Sequence, residues 1–406
     1  MADDSAAEDP QSWEVATRLV RGGLMRSPMG ETAEALYLTQ SFVYDSAEAA
    51  DARFAGTNPG FIYSRYGNPT VQMFEDRLAL LEGAEACRGT ASGMAAVHLA
   101  LTGLLRAGDH VVAGRALFGS CRWILNNWAP RFGIEATFVD ATDLDAWRAA
   151  VRPNTKLVFL ETPANPLLEI CDIAAISAIA REAGAKVVVD NVFATPIYQK
   201  PLQLGADIVV YSATKHIDGQ GRVMGGAVLG ARALVEEAYR DFIRHTGPSL
   251  SPFNAWVLLK GLETLDLRVR RQSETAAALA DRIAAHAKVK STRYPSRTDH
   301  PQYEIAARQM TGGGNAMAGG GSLVAFDLGS QEAAFRFLNR LELLDISNNL
   351  GDAKSMATHP STTTHRAMTE EQRLEIGLTA GWVRVSVGLE GAGDLARDIE
   401  RALDAA

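Results

Sequence analysis

The sequence predicts an α/β protein whose larger sheet is mostly parallel and covered on both faces. Three observations carry that expectation. Four short apolar runs, His110-Val-Val-Ala113, Lys156-Leu-Val-Phe-Leu160, Lys186-Val-Val-Val189 and Asp207-Ile-Val-Val-Tyr211, lack polar alternation, as strands buried on both faces do. A helical pattern from Ile173 to Glu182 separates two of them, where a parallel connection needs a crossover. The chain has 406 residues, 47% hydrophobic and 22% charged, which suits a large core and two to three domains of roughly 100–200 residues each.

From the start, residues 1 to about 15 are small and acidic and read as a mobile tail outside any core. A helix and irregular Gly- and Asn-containing segments follow, and residues 1–60 together form a tail and arm. The arm passes into Phe61-Ile-Tyr-Ser-Arg-Tyr-Gly-Asn-Pro-Thr70. The large α/β domain spans 61–255. A long helical pattern from Asn254 to His286, then strands Ser322–Phe326 and Trp382–Ser386, place a smaller α+β domain at 256–406. Thr311-Gly-Gly-Gly-Asn-Ala-Met-Ala-Gly-Gly-Gly321 has six glycines in eleven residues and reads as a flexible loop. It neither follows an apolar strand nor opens a helix, which argues against a nucleotide fingerprint.

Composition narrows the partners. A net charge of -8 without a basic stripe argues against nucleic acid. Cys87, Cys121 and Cys171 are odd in number and widely spaced, which suggests neither a disulfide framework nor a metal site. The acidic start MADDSAAEDP lacks the features of a secretory signal, and no apolar run approaches the ~20 residues of a membrane span. A cytoplasmic protein is expected.

The chemistry lies at the strand ends. Strand 186–189 runs into Asp190, and strand 207–211 runs into Ser212-Ala-Thr-Lys215. Ligands of open α/β sheets bind at those carboxyl ends. Pyridoxal phosphate (PLP) needs a lysine to bond its aldehyde and a carboxylate to keep its ring nitrogen protonated; Lys215 and Asp190 supply both. Its phosphate needs hydroxyls and free N–H groups, offered by Ser212, Thr214 and the helix opening at Ala91-Ser-Gly93-Met94. Gly93 permits a close backbone approach. Each piece alone has a plainer reading, Asp190 as a turn residue or Lys215 as a solvated strand end. Ser212-x-x-Lys215 also matches serine β-lactamases, but their Ser-Asp-Asn and Lys-Thr-Gly companions are missing. The joint order of the pieces favours the cofactor.

Five motifs in order then give a resemblance to the cystathionine γ-synthase-like PLP enzymes of cysteine and methionine metabolism, from about Tyr63 to Glu390. They are Tyr63-Ser-Arg65 with Gly67-Asn-Pro-Thr70, Glu161-Thr-Pro-Ala-Asn165-Pro, Asp190-Asn-Val-Phe-Ala-Thr-Pro196, Ser212-Ala-Thr-Lys215 and Arg384-Val-Ser-Val-Gly-Leu-Glu390. The resemblance implies an aspartate-aminotransferase-like fold (fold type I) and a homotetramer whose active sites are shared between neighbouring subunits. Tyr63 and Arg65 would reach the neighbour's cofactor phosphate, with Tyr63 counted among the catalytic groups. Asn165 and Arg384 would contact cofactor and substrate carboxylate, for which a two-pronged guanidinium is apt. Read alone, Tyr63 and Arg65 are loop residues and Arg384 a structural ion pair.

Departures narrow the reaction. Phe118 stands where many relatives carry Tyr, keeping a ring to stack on the cofactor and losing the hydroxyl. His216-Ile-Asp-Gly-Gln-Gly-Arg222 and Ser347-Asn-Asn349-Leu-Gly-Asp-Ala-Lys354 resemble the sulfhydrylase subgroup that acts on O-succinylhomoserine. That resemblance implies replacement at Cγ, with sulfide displacing succinate to give homocysteine for methionine biosynthesis. Lys215 would serve as base and acid, and Arg222 and Asn349 would bind substrate. Cystathionine γ-synthase and O-acetylhomoserine sulfhydrylase differ by one small substrate, a difference resting on ~1–3 kcal/mol. A methionine γ-lyase, disfavoured by Phe118, and a PLP-binding regulatory protein without turnover also stay open.

Overall fold

The computed structural model describes residues 9–406, so the first half of the acidic tail lies outside the described residues. Pro10–Ser12 form one exposed turn, and the Val15–Arg21 helix already buries Leu19.

Seven strands make the large sheet: β1 (Ala86–Thr90), β2 (His110–Gly114), β3 (Glu135–Val139), β4 (Thr155–Glu161), β5 (Lys186–Asp190), β6 (Ile208–Ser212) and β7 (Gly226–Gly230). Their spatial order is β1-β7-β6-β5-β4-β2-β3. The neighbours from β6 to β3 pair in parallel, and β7 runs antiparallel to both β6 and β1. The four expected strands are β2, β4, β5 and β6, and the helix expected at Ile173–Glu182 has those bounds. Three further strands were not legible. Ala-Cys-Arg-Gly-Thr and Gly-Ala-Val-Leu-Gly carry too much Gly and Ala, and Glu-Ala-Thr-Phe-Val too little apolar character, to stand out.

Continuous apolar strands follow from burial on both faces. Leu157, Phe159, Val188, Ile208 and Val210 pack on one side with the Gly93–Thr102 helix, while Val158, Leu160, Val187 and Val189 pack on the other with Ile173, Ile176 and Trp147. Successive residues of a strand point to opposite faces, so no polar alternation survives.

The helix expected from Asn254 to His286 is corrected to two, Pro252–Leu262 and Leu265–Ala285, broken at Glu263 and Thr264. The break lets Arg268 turn back and bond the Gly261 carbonyl at 2.8 Å and the His216 carbonyl at 2.8 Å. One side chain thus caps the first helix and anchors the residue after Lys215.

The C-terminal sheet holds β8 (Ser291–Arg293), β9 (Leu323–Asp327), β10 (Asp345–Ile346), β11 (Met356–Thr358) and β12 (Trp382–Ser386), in the order β10-β11-β12-β9-β8. Leu265–Ala285 and Ala392–Asp404 cover one face of it through Leu279, Ile283, Leu395 and Ile399. The Gly-rich segment 311–321 has no regular element, as expected, but its end is packed rather than free. A Cβ on Gly320 would lie 2.7 Å from the Tyr294 ring, and the Tyr294 hydroxyl donates to the Gly321 carbonyl at 2.9 Å. Among the described residues, no helix is long and apolar enough to cross a membrane, and the three cysteines are buried and unpaired.

Candidate active site

Strands β4, β5 and β6 end side by side at Glu161, Asp190 and Ser212, facing the first turn of the Gly93–Thr102 helix. Between them lies a cavity of 260 Å³ whose wall includes Gly93, Phe118, Asp190, Ser212, Lys215 and Arg384. Parallel strands place the carboxyl ends at Glu161, Asp190 and Ser212 on one edge, and Arg384 reaches that edge from β12 of the second sheet.

Lys215 follows β6 through a turn closed by its N–H to the Ser212 carbonyl at 3.2 Å. Its Nζ donates to Asn349 Oδ1 at 2.5 Å. Burial, and secondarily the Arg384 charge, lowers the ammonium pKa to about 8. An amine in that range is neutral far more often than a surface lysine, as a nucleophile or proton acceptor must be.

Asp190 and Glu161 are neighbouring carboxyls, Glu161 buried and Asp190 half-buried. Burial pushes both upward, and the Asp190 charge pushes Glu161 further. They differ in their partners. Glu161 Oε2 accepts the Phe118 N–H at 2.7 Å and Oε1 accepts the Asn165 N–H at 2.9 Å. Asp190 accepts one N–H, from Val192 at 3.1 Å, and faces the cavity with capacity to spare.

Arg384 rises from the middle of β12, only 2% exposed. Its Nη1 donates to Asn165 Oδ1 at 2.8 Å, and Nη2 donates to the Asn348 and Asn349 carbonyls at 3.0 and 3.2 Å. Its Nε has no acceptor. Burial lowers the guanidinium to about 10, with the Glu161 charge opposing. A buried cation with an unused donor, in a side chain that lines the cavity, is costly unless an anion arrives.

The opposite wall suits a phosphate. Ser92 caps the Gly93–Thr102 helix by accepting the Ala95 N–H at 3.1 Å, which leaves the first N–H groups of a ten-residue helix toward the cavity. A Cβ on Gly93 would stand 2.5 Å from the Ser212 Cβ, so only glycine lets helix and strand meet. Met94, Ser212 and Thr214 line the same wall. Thr214 is fixed by Oγ1 bonding the Gly225 carbonyl at 3.2 Å and accepting its N–H at 3.1 Å.

Three expected residues stand apart. Tyr63 and Arg65 do not line this cavity. Tyr63 is 38% exposed on the arm, and the Arg65 guanidinium lies 4.9 Å from the Tyr66 ring centre and donates to the Arg244 carbonyl. Arg222 is the correction: its Nε bonds Asp218 Oδ1 at 2.9 Å and its Nη2 the Asp218 carbonyl at 2.9 Å. An i,i+4 carboxylate so close captures the guanidinium, and Arg222 is absent from the cavity wall. Asn349, expected to bind substrate, meets Lys215.

Sequence reasoning passed over the roles of Glu161 and His365. Glu161 carried the same signal as Asp190, an acid ending a buried strand. His365 is fully buried, and burial with the Arg384 charge holds it at about 4, so it is neutral at ordinary pH. Behind the site, Tyr211 donates to Glu82 at 2.6 Å and accepts from Asn191 at 2.6 Å, and Asn191 Oδ1 accepts from Gln199 at 2.8 Å. That network braces the residue next to Asp190.

These residues fit pyridoxal phosphate on the protein's own geometry. The under-satisfied carboxyl of Asp190 suits a ring N–H, the helix N-terminus suits the phosphate, and a partly neutral lysine suits the aldehyde. The unused donor of Arg384 is left for a second anion, a substrate carboxylate.

The comparisons agree with the geometry. A model of the family described as Cys/Met metabolism PLP-dependent enzymes matches residues 16–404. The O-succinylhomoserine sulfhydrylase of Mycobacterium tuberculosis is 52% identical, covering 99% of this chain and 100% of that one. The O-succinylhomoserine sulfhydrylase of Pseudomonas aeruginosa is 47% identical, covering 96% and 95%. Among solved structures, a Campylobacter jejuni protein assigned as an O-acetylhomoserine (thiol)-lyase superposes with a TM-score of 0.92 at 30% identity, covering 97% of this chain and 100% of that one. It carries N'-pyridoxyl-lysine-5'-monophosphate.

Proposed function

Because this chain belongs to the Cys/Met metabolism PLP-dependent enzymes, we propose that it converts O-succinylhomoserine and sulfide to homocysteine and succinate. The single observation that carries a catalytic reading is the convergence of Lys215, Asp190 and Arg384 on one cavity. The ester and the nucleophile are suggested by the two sulfhydrylases at 52% and 47% identity.

When bound, pyridoxal phosphate supplies an electron sink that acidifies the substrate's Cα and Cβ protons. Lys215 holds the cofactor, then takes and returns the Cα proton at Nζ, and its lowered basicity matches that task. Asp190 holds a proton on the ring nitrogen. Ser212, Thr214 and the N–H groups of Gly93 and Met94 bind the phosphate. Phe118 packs on the ring. Arg384, steadied by Asn165, binds the substrate carboxylate through its unused donor. Asn349 aims Lys215. Loss of succinate from Cγ and addition of sulfide there leave the amino and carboxyl groups where they were held. Arg222 stays with Asp218 and orders the turn after Lys215.

Each active site is completed by a neighbour in a homotetramer, with Tyr63 and Arg65 reaching the partner's phosphate and Tyr63 assisting catalysis. The support is the position of both residues on an arm that exposes Met29 by 90%, Val43 by 97% and Phe54 by 67%, apolar surface that association would cover. Buried free thiols suit a cytoplasmic setting.

The test is homocysteine formation by the PLP-loaded protein from O-succinylhomoserine and sulfide, run beside the acetyl ester and beside cysteine as acceptor. Preference for the succinyl ester and sulfide supports the reading; preference for cysteine makes the protein a cystathionine synthase. For the shared site, an inactive Lys215→Ala chain mixed with an inactive Arg65→Ala chain regains activity only if sites form between subunits.

A further inference from the structure

A second cavity of 510 Å³ opens beside the first. The two share Phe118, Asn348 and Thr364, and the second adds Ile346, Ser347, Thr358 and Thr363. None of its walls carries a charge. One side is the end of β10, fixed where the Ser347 N–H bonds the Ala357 carbonyl at 3.0 Å. The other is the loop after β11, held by Thr363 donating to the His359 carbonyl at 2.8 Å. That loop closes on the Phe118 turn, since a Cβ on Gly119 would lie 3.2 Å from the Thr364 carbonyl. Ile346, 60% exposed, marks the open mouth.

Asn348 joins this cavity to the first. Its carbonyl accepts from Arg384 Nη2 at 3.0 Å, so its position is tied to the group that holds the substrate carboxylate. Its side-chain amide has no protein partner among the hydrogen bonds of the described residues, and the Ser347 hydroxyl, which accepts the Asn349 N–H at 3.3 Å, still has a proton to donate. Arg222 is committed to Asp218. No cation lines this route, so an acyl group meets neutral donors there.

We propose that this side cavity is the acyl subsite, where the Asn348 amide and the Ser347 hydroxyl hold the distal carboxylate of a dicarboxylic half-ester and release it toward solvent. The inference rests on the ester reading given above. The main cavity takes the cofactor and the amino-acid end. The group that leaves needs separate space with an exit, and the side cavity has both. Neutral donors hold a carboxylate without trapping it as a fully buried cation would.

A negative charge placed on the wall tests this. In the PLP-loaded enzyme, Asn348→Asp is nearly isosteric and repels a distal carboxylate, which an acetyl ester lacks. The ratio of kcat/KM for the succinyl ester to that for the acetyl ester is expected to fall at least tenfold. A ratio within twofold of the wild type overturns the proposal. If that variant fails to fold or to take up cofactor, Ser347→Asp is judged by the same ratio; its carboxylate can still accept the Asn349 N–H. Wild-type enzyme inactive on the succinyl ester would refute the ester reading instead, so the two failures are distinguishable.

Discussion

Lys215 Nζ lies 2.5 Å from Asn349 Oδ1, a contact that spans the large and small sheets and fixes the amine by a neutral acceptor. A neutral acceptor orients the lysine without the strong pull toward the charged form that a carboxylate exerts.

The first expected outcome concerns pH. The neutral amine attacks the cofactor aldehyde, and Lys215 in the folded protein loses its proton at about 8 rather than near its ordinary value. The initial rate of PLP uptake by the apo-protein should therefore rise with pH and level off above about 8. Asn349→Asp should move that midpoint upward and lower turnover at neutral pH at least tenfold. Stopped-flow absorbance of the bound cofactor across a pH series measures both.

Gly93→Ala adds a Cβ that would stand 2.5 Å from Ser212 Cβ. Overpacking of this kind costs about 1–3 kcal/mol. The clash falls on the phosphate wall, so the shift of the helix start that relieves it should lower PLP affinity, by about fivefold or more if ~1 kcal/mol of that cost falls on binding. Equilibrium dialysis of the cofactor, beside a melt of the apo-protein, separates lost affinity from lost folding.

Glu161→Gln keeps one acceptor for the Phe118 and Asn165 N–H groups and replaces the other with a donor. One buried N–H is then unsatisfied, at about 1–3 kcal/mol. Since Asn165 steadies Arg384, KM for the ester should rise several-fold while the variant still binds PLP. Steady-state kinetics with a cofactor titration check it.

Arg384→Lys keeps a charge but loses the planar fork that meets Asn165 and two backbone carbonyls. Hydrogen bonds to charged groups are worth about 1.5–3 kcal/mol, so KM should rise roughly ten- to a hundredfold. Substrate analogues lacking the α-carboxylate should show little difference between variant and wild type.

Much of this was legible in the chain. β4, β5 and β6 announced themselves by unbroken Val, Leu and Ile, and Asp190 and Lys215 by their place at strand ends. β7 hid because Gly226 must sit against the Ser92 carbonyl, where a Cβ would come within 2.2 Å; packing there demands a residue with no strand signal. The break after Leu262 was invisible because what accompanies it is Arg268 bonding the His216 carbonyl, a tertiary contact that the local sequence does not signal. The partner of Arg222 was hidden for another reason. The Arg222 motif was conspicuous, but Asp218 sits four residues before it in a glycine-bent turn and takes the guanidinium. The Glu82–Tyr211 bond joins residues far apart in the chain, and neither side chain signals the other.

The measurement closest to the central claim compares wild-type and Lys215→Ala protein for homocysteine released from O-succinylhomoserine and sulfide, after both are loaded with PLP. The wild type should turn over steadily and the variant should fall to background while keeping a native melt. Homocysteine production surviving in Lys215→Ala would contradict the assignment of Lys215 as the group that holds the cofactor and moves the proton.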